Sequence, residues 1–149
     1  MEFLVGPGKA AGIVRFCQSV LGAPSSLHSD RDGAVTKVSI GRNQALIFRE
    51  TEEPLRPYDG HHIAIYVANF SGPYGFLKAR GLVSEDVRNH QFRFKEIVDP
   101  EGDESLFLIE HEVRSLHHPM FNRRFVNRDP EQSARWYRRG RDALIPYRK

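Results

Sequence analysis

The sequence predicts an α+β fold in which two βαβββ modules form one cupped, eight-stranded mixed sheet. Three observations support this prediction. The composition, with 40% hydrophobic and 28% charged residues over 149 positions, is typical of a single soluble globular domain. The first 113 residues contain the same order of strand-like and helix-like patterns twice. The two halves also align at an offset of 59 to 60 residues, with Gly22 opposite Gly81 and segment 45–50 opposite segment 105–110.

We expect the whole chain, residues 1–149, to form one domain with four consecutive parts. They are module one (2–53), a linker (54–60), module two (61–113) and a C-terminal extension that contains a helix (114–149). The linker is polar and contains Pro54 and Pro57, a composition typical of a connecting segment.

The first half begins with a short strand and a helix. Glu2–Val5 is predicted as a strand, because Gly6-Pro7-Gly8 interrupts the apolar run after it. The next segment, Ala10–Leu21, is predicted as a helix, since its apolar side chains recur at helical spacing. Gly22 follows directly and supplies a helix stop.

Three strands complete the first half. Ser25–Asp30 is a short candidate strand, and Val35–Ile40 alternates between apolar and polar residues with the period of a strand. Gly41-Arg42-Asn43 is a turn sequence, after which Gln44–Glu50 returns as the last strand.

The second half repeats this order after the linker. Its helix is again closed by a glycine, Gly81. The predicted elements are a strand, a helix and three strands: His62–Ala68, Ser71–Arg80, Leu82–Val87, Gln91–Val98 and Ser105–Val113.

The C-terminal extension combines a helix signal with a basic charge. Asp129-Pro130-Glu131 is typical of a helix start. Asp can cap the first turn, Pro suits the first helical position, and the negative charge of Glu interacts favourably with the positive N-terminal end of the helix dipole. We expect a helix from about Pro130 to Leu144 that docks through Trp136. Ten basic and three acidic residues follow Val113. We interpret this charge as a solvated helix face and rank a nucleic-acid surface behind it.

Composition also limits the compartment and the partners. The longest apolar run, residues 63–68, is far shorter than the ~20 residues that span a bilayer, and Met1–Val5 lacks the features of a secretory signal. The single cysteine, Cys17, cannot form an internal disulfide and falls on the apolar face of the first helix. We therefore expect a cytoplasmic protein without a membrane partner, and we rank nucleic acid behind a small molecule as its partner. We also expect a homodimer.

Four stretches of this sequence resemble the vicinal oxygen chelate superfamily, which includes glyoxalase I, the fosfomycin- and bleomycin-resistance proteins and extradiol dioxygenases. The stretches occur in order at residues 12–22, 44–50, 61–67 and 98–102. The resemblance covers about residues 2 to 113. It implies a cup of sheet with a divalent metal held by the first and last strands of the modules.

The resemblance implies three metal ligands. His62 begins the first strand of module two, Glu110 lies on the last strand of that module, and Glu50 is its repeat equivalent in module one. Imidazole and carboxylate suit a Zn, Fe, Mn or Ni ion. Glu50 is also the candidate catalytic residue, as a general base released from the metal. His61 has the opposite strand phase and is expected to face away from the cup.

The sequence departs from the superfamily pattern at two places. The first-strand histidine of module one has no counterpart, because the 60-residue offset gives Glu2 and the 59-residue offset gives Phe3. Glu110 follows Asp99 by eleven residues, a wider spacing than the superfamily uses. Either the hairpin is longer in this chain or Glu110 is displaced from the metal position.

Two functions from different classes are compatible with these residues. One is a metal-dependent enzyme of the glyoxalase or dioxygenase type, a lyase, isomerase or dioxygenase that acts on a small substrate with vicinal oxygens. The alternative is a metal-free protein that binds or sequesters a small molecule, as in bleomycin resistance. His62 with two glutamates favours the enzyme, whereas the missing histidine favours the binding protein.

Overall fold

A computed structural model describes residues 1–31, 33–87 and 90–121 and confirms the predicted order of elements. The elements are β1 (Glu2–Val5), α1 (Ala10–Ser19), β2 (Ser25–Asp30), β3 (Gly33–Gly41), β4 (Gln44–Glu50), β5 (His62–Val67), α2 (Ser71–Ala79), β6 (Val83–Val87), β7 (Gln91–Val98) and β8 (Ser105–Ser115). Among these residues no helix is long and apolar enough to cross a membrane. The helix predicted from Pro130 to Leu144, with Trp136, lies outside the described residues and stays a prediction.

The eight strands form two mixed sheets with identical topology. Sheet one has the order β1-β4-β3-β2, and sheet two has the order β5-β8-β7-β6. In each sheet the first and last strands of the module pair in parallel, while the other neighbours are antiparallel. This equivalence confirms the internal repeat and the α+β fold.

Each sheet has one side that packs against the helices, called here its helix side, and an opposite open side. On sheet one, the Thr36 hydroxyl donates a 2.7 Å hydrogen bond to the carbonyl of Ala10, the first residue of α1. Because side chains alternate along strands, most of the buried hydrophobic residues share this side. On sheet one they are Phe3, Val5, Val38, Leu46 and Phe48, and on sheet two they include Phe92, Phe94, His111 and Val113.

The helix α1 joins the cores of the two modules. Its Phe16 ring lies 5.8 Å from the Phe94 ring of β7 and 6.3 Å from the Phe76 ring of α2, between centroids. Nε of Arg15 donates a 3.1 Å hydrogen bond to Oδ1 of Asp99, which lies in the β7–β8 turn. This contact holds the pKa of Asp99 below its usual value. The modules therefore share one core, and we expect them to unfold as a unit.

The glycines predicted to stop the helices adopt the backbone conformation that this role requires. Gly22 and Gly81 follow α1 and α2 with φ angles of 66° and 68°. A side chain in this left-handed region is strained, so glycine is the residue best suited to end each helix there.

Candidate functional site

Two of the predicted ligands lie side by side on the open side of sheet two. The strands β5 and β8 are parallel neighbours, and their register places His62 opposite Glu110. His62 is exposed, and its side chain makes no hydrogen bond to any residue that the structure describes. The structure thus brings together the imidazole and one of the two predicted carboxylates.

The carboxylate of Glu110 is already neutralised by two cations. Its Oε1 accepts a 3.0 Å hydrogen bond from Nη1 of Arg93, and its Oε2 lies 3.7 Å from Nζ of Lys95. The Glu110 side chain is only 15% exposed. A metal ion at Glu110 would have to displace these partners or compete with their positive charge.

These contacts belong to a larger group of charges, called here the open-side ion network. It contains three acidic and three basic side chains: Glu85, Glu110, Glu112, Arg93, Lys95 and Arg114. The buried carboxylate of Glu112 lies between the guanidinium groups of Arg93 and Arg114. Burial opposes the charge of Arg93, but the adjacent Glu112, Glu85 and Glu110 raise its pKa, so it stays protonated. The three negative and three positive charges of the network therefore cancel.

The third predicted ligand, Glu50, lies on the helix side of sheet one. Its Oε1 accepts a 2.8 Å hydrogen bond from the backbone nitrogen of Ala10 at the start of α1. In the β1–β4 register Glu50 stands opposite the fully buried Val5. Neither residue that precedes the helices, Lys9 nor Phe70, forms a side-chain cap. Glu50 therefore supplies the acceptor, and its charge suits the positive end of the helix.

A β-bulge separates the two glutamates that the repeat treats as equivalent. Between the pairs Phe94–His111 and Glu96–Leu108, strand β8 contains one residue more than β7. The corresponding part of the β3–β4 ladder runs without a shift. One extra residue changes the side of the sheet that a side chain faces. The expectation that Glu50 and Glu110 share one phase is corrected accordingly.

The residues present do not fit a metal centre in the described part of one chain. There, no group of three or more His, Cys, Asp and Glu side chains is placed to hold an ion. Glu110 is bound by two cations and Glu50 by the start of α1. Divalent-metal sites in proteins need several converging donors with free lone pairs. The donors that a metal-dependent catalytic step requires are therefore not assembled among these residues.

An aromatic cluster, which no sequence pattern predicted, fills the junction of β1, β4 and β8. Phe3 stands where the 59-residue offset places the missing histidine. Its ring lies 5.3 Å from Phe48 and 5.7 Å from Phe107, and it stacks on His61 at 6.1 Å, between centroids. Apolar packing thus occupies the position where the resemblance implies a metal-binding side chain.

A cavity of about 180 Å³ lies beside this cluster, between the helix sides of the two sheets. Its walls come from the end of α1, the segment 22–24, and strands β3, β4, β5 and β8. Most of the lining is apolar, as is usual for sites that bind small organic molecules. Because it is assembled from six separated segments, no local sequence pattern identifies it.

The role assigned to Glu50 predicts a graded response to substitution. Glu50→Ala removes the acceptor for the first amide of α1 and should lower the free energy of unfolding by about 1–2 kcal/mol. Glu50→Gln keeps an acceptor oxygen and should cost about half as much or less. Urea denaturation followed by circular dichroism measures both. Equal losses in the two variants would contradict the hydrogen-bonding role.

Comparison with known proteins places this fold among solved structures. No family model matches the chain, and no curated protein sequence matches it. A variant of the fosfomycin resistance protein FosX from Listeria monocytogenes, in complex with Mn(II) and 1S,2S-dihydroxypropylphosphonic acid, is 15% identical. The match has a TM-score of 0.50 and covers 76% of this chain and 87% of that one. A glyoxalase family protein from Bacillus anthracis is 21% identical, with a TM-score of 0.51 and coverage of 76% and 91%. The chain therefore shares the fold of these two structures, in agreement with the fold that the resemblance predicted.

Proposed function

We propose that this protein binds a small organic molecule in the cavity between its sheets and does so without a catalytic metal. The observation that supports this proposal most directly is the pairing of Glu110 with Arg93 and Lys95. The carboxylate that the resemblance assigns to a metal instead forms ion pairs with two side chains of the protein itself. Of the two functions compatible with the sequence, the metal-free one is therefore better supported.

The fold itself is compatible with a small ligand. The FosX structure contains 1S,2S-dihydroxypropylphosphonic acid together with Mn(II). At 15% identity the likeness transfers the architecture and not the ligand. The ligand class has to come from the lining of the cavity in this chain.

Ligand-observed NMR with a mixture of neutral aromatic and aliphatic fragments, recorded in EDTA, tests the proposal. We expect saturation transfer to some fragments, and we expect those fragments to compete for one site. The signals should be unchanged after EDTA is removed and Zn²⁺ is added. Binding that appears only with Zn²⁺ present would contradict the proposal.

The second candidate is a metal-dependent lyase, isomerase or dioxygenase. The observation that favours it is the register of His62 opposite Glu110 on adjacent strands. This function requires Glu110 to exchange its cations for the metal, and it requires a further donor from outside that pair. A second copy of the chain is one source of such a donor.

The homodimer and the cytoplasmic location expected from the sequence remain predictions. Light scattering coupled to size-exclusion chromatography measures the mass in solution. We expect twice the chain mass of 17.1 kDa. A monomeric mass would remove the second copy as a source of metal ligands and would strengthen the metal-free function.

A further inference from the structure

The cavity between the sheets contains a polar side chain whose hydrogen bonding is incomplete. His111 lines the cavity and is only 1% exposed. Its Nδ1 lies 2.9 Å from the carbonyl oxygen of Ile109, which can only accept, so Nδ1 carries the proton and donates. The remaining nitrogen, Nε2, is then an acceptor, and it has no hydrogen-bond partner among the described residues.

The imidazole ring of His111 is held in a fixed orientation. It stacks on Phe94 with a centroid distance of 4.5 Å and an interplanar angle of 8°. The strand position of His111, between β5 and β7, fixes the backbone on both sides. Among the described residues, the fully buried side-chain atoms without a hydrogen-bond partner are Nε of Arg93 and Oε1 of Glu112, so Nε2 of His111 is reached from the cavity that the residue lines. A ligand that donates to Nε2 completes the hydrogen bonding of the ring.

The rest of the lining defines what else a ligand must satisfy. Val38, Leu46, Phe48 and Val67 provide apolar surface. The thiol of Cys17 also faces this region, and burial raises its pKa to about 12, so it stays uncharged. No charged side chain lines the cavity among the described residues. An ionised ligand would therefore lose its hydration without gaining a counter-charge.

We propose that this cavity binds a neutral phenol or alcohol, whose hydroxyl group donates a hydrogen bond to Nε2 of His111. This inference rests on the proposed function and adds the chemical class of the ligand. The volume of about 180 Å³ suits a single substituted ring, since an apolar cavity of about 150 Å³ accommodates benzene. The hydroxyl supplies the missing donor, and the ring packs on the apolar walls.

Four probes built on the same methyl-substituted ring separate the need for a donor from the need for a neutral group in the wild-type protein. They are 4-cresol, 4-methylanisole, toluene and 4-methylbenzoate, titrated calorimetrically in EDTA. We expect one cresol molecule per chain. Methylanisole and toluene lack the donor and should bind about three- to tenfold more weakly, the usual effect of losing one hydrogen bond. Methylbenzoate is charged and should not bind at this site.

The variant His111→Leu, which keeps a similar volume, tests whether the imidazole is the recognised group. It should bring the affinity for cresol down to that for toluene, while His28→Leu, at an exposed position on β2, serves as the matched control and should change neither. If His111→Leu does not fold, the ¹⁵N resonance of Nε2 in the wild-type protein gives the answer. It should shift on addition of cresol and stay in place on addition of methylanisole.

Equal affinities for cresol and methylanisole, or cresol binding that survives His111→Leu, would overturn the inference. If neutral fragments bind in EDTA but cresol is not preferred, only the ligand class is wrong. If no fragment binds until Zn²⁺ is added, the proposed function fails as well.

Discussion

Replacing Phe94 by alanine should lower the free energy of unfolding by about 3–5 kcal/mol, a large share of the ~5–15 kcal/mol of an ordinary domain. Phe94 is fully buried, stacks on His111 and contacts Phe16 from the other module. The loss of stability should affect both modules, because α1 packs on both sheets. Urea denaturation followed by far-UV circular dichroism measures the change.

The exposed Leu4, on the open side of sheet one, provides the control. It is 46% exposed, and Leu4→Ala should cost less than about 1 kcal/mol. Both variants should keep a single cooperative transition with the wild-type slope. A biphasic transition in Phe94→Ala, with module one still folded after module two has melted, would contradict the shared core.

Acidification should destabilise the protein through His111. Burial lowers the pKa of this histidine from 6.5 to about 4, so the unfolded chain binds the proton more readily than the folded one. The stabilising contribution is complete above about pH 6.5 and is lost progressively as the pH falls towards 4. Between pH 7 and pH 5 we expect a loss of about 2 kcal/mol from this group.

The variant His111→Leu isolates this contribution. Its free energy of unfolding should depend less on pH between 7 and 5, with the difference from wild type approaching the same ~2 kcal/mol. The pKa of His118 is also lowered by burial and by Arg114. The contribution of His118 to the pH dependence of unfolding therefore persists in the His111→Leu variant. Identical pH profiles for the two proteins would show that His111 is protonated as easily in the folded state as in the unfolded one.

Most of the fold could be predicted from the sequence, because its signals are local. The strands β3 and β7 alternate with period two, and glycines follow both helices. The predicted bounds differ from the observed ones by at most two residues. The repeat further predicted that the two halves share one topology, and both sheets have the same strand order.

The candidate site could be predicted only in part, because its geometry depends on long-range contacts. The proximity of His62 and Glu110 is implied by the resemblance, which assigns both residues to metal-binding strands of module two. The side that Glu50 faces does not, because the bulge in β8 appears in the sequence only as the wide spacing between Asp99 and Glu110. The ion pairs of Arg93 likewise depend on which residues meet across neighbouring strands. These cross-strand ion pairs have no local sequence signature.

Metal analysis of the untagged protein tests the central claim most directly. The protein is incubated separately with Mn²⁺ and Zn²⁺, passed through a desalting column, and assayed for bound metal by mass spectrometry. With Glu110 paired to Arg93 and Lys95, we expect no stoichiometric metal in the wild-type protein. One ion per chain or per pair of chains, lost in both His62→Ala and Glu110→Gln, would contradict the metal-free function and favour the metal-dependent enzyme in its place.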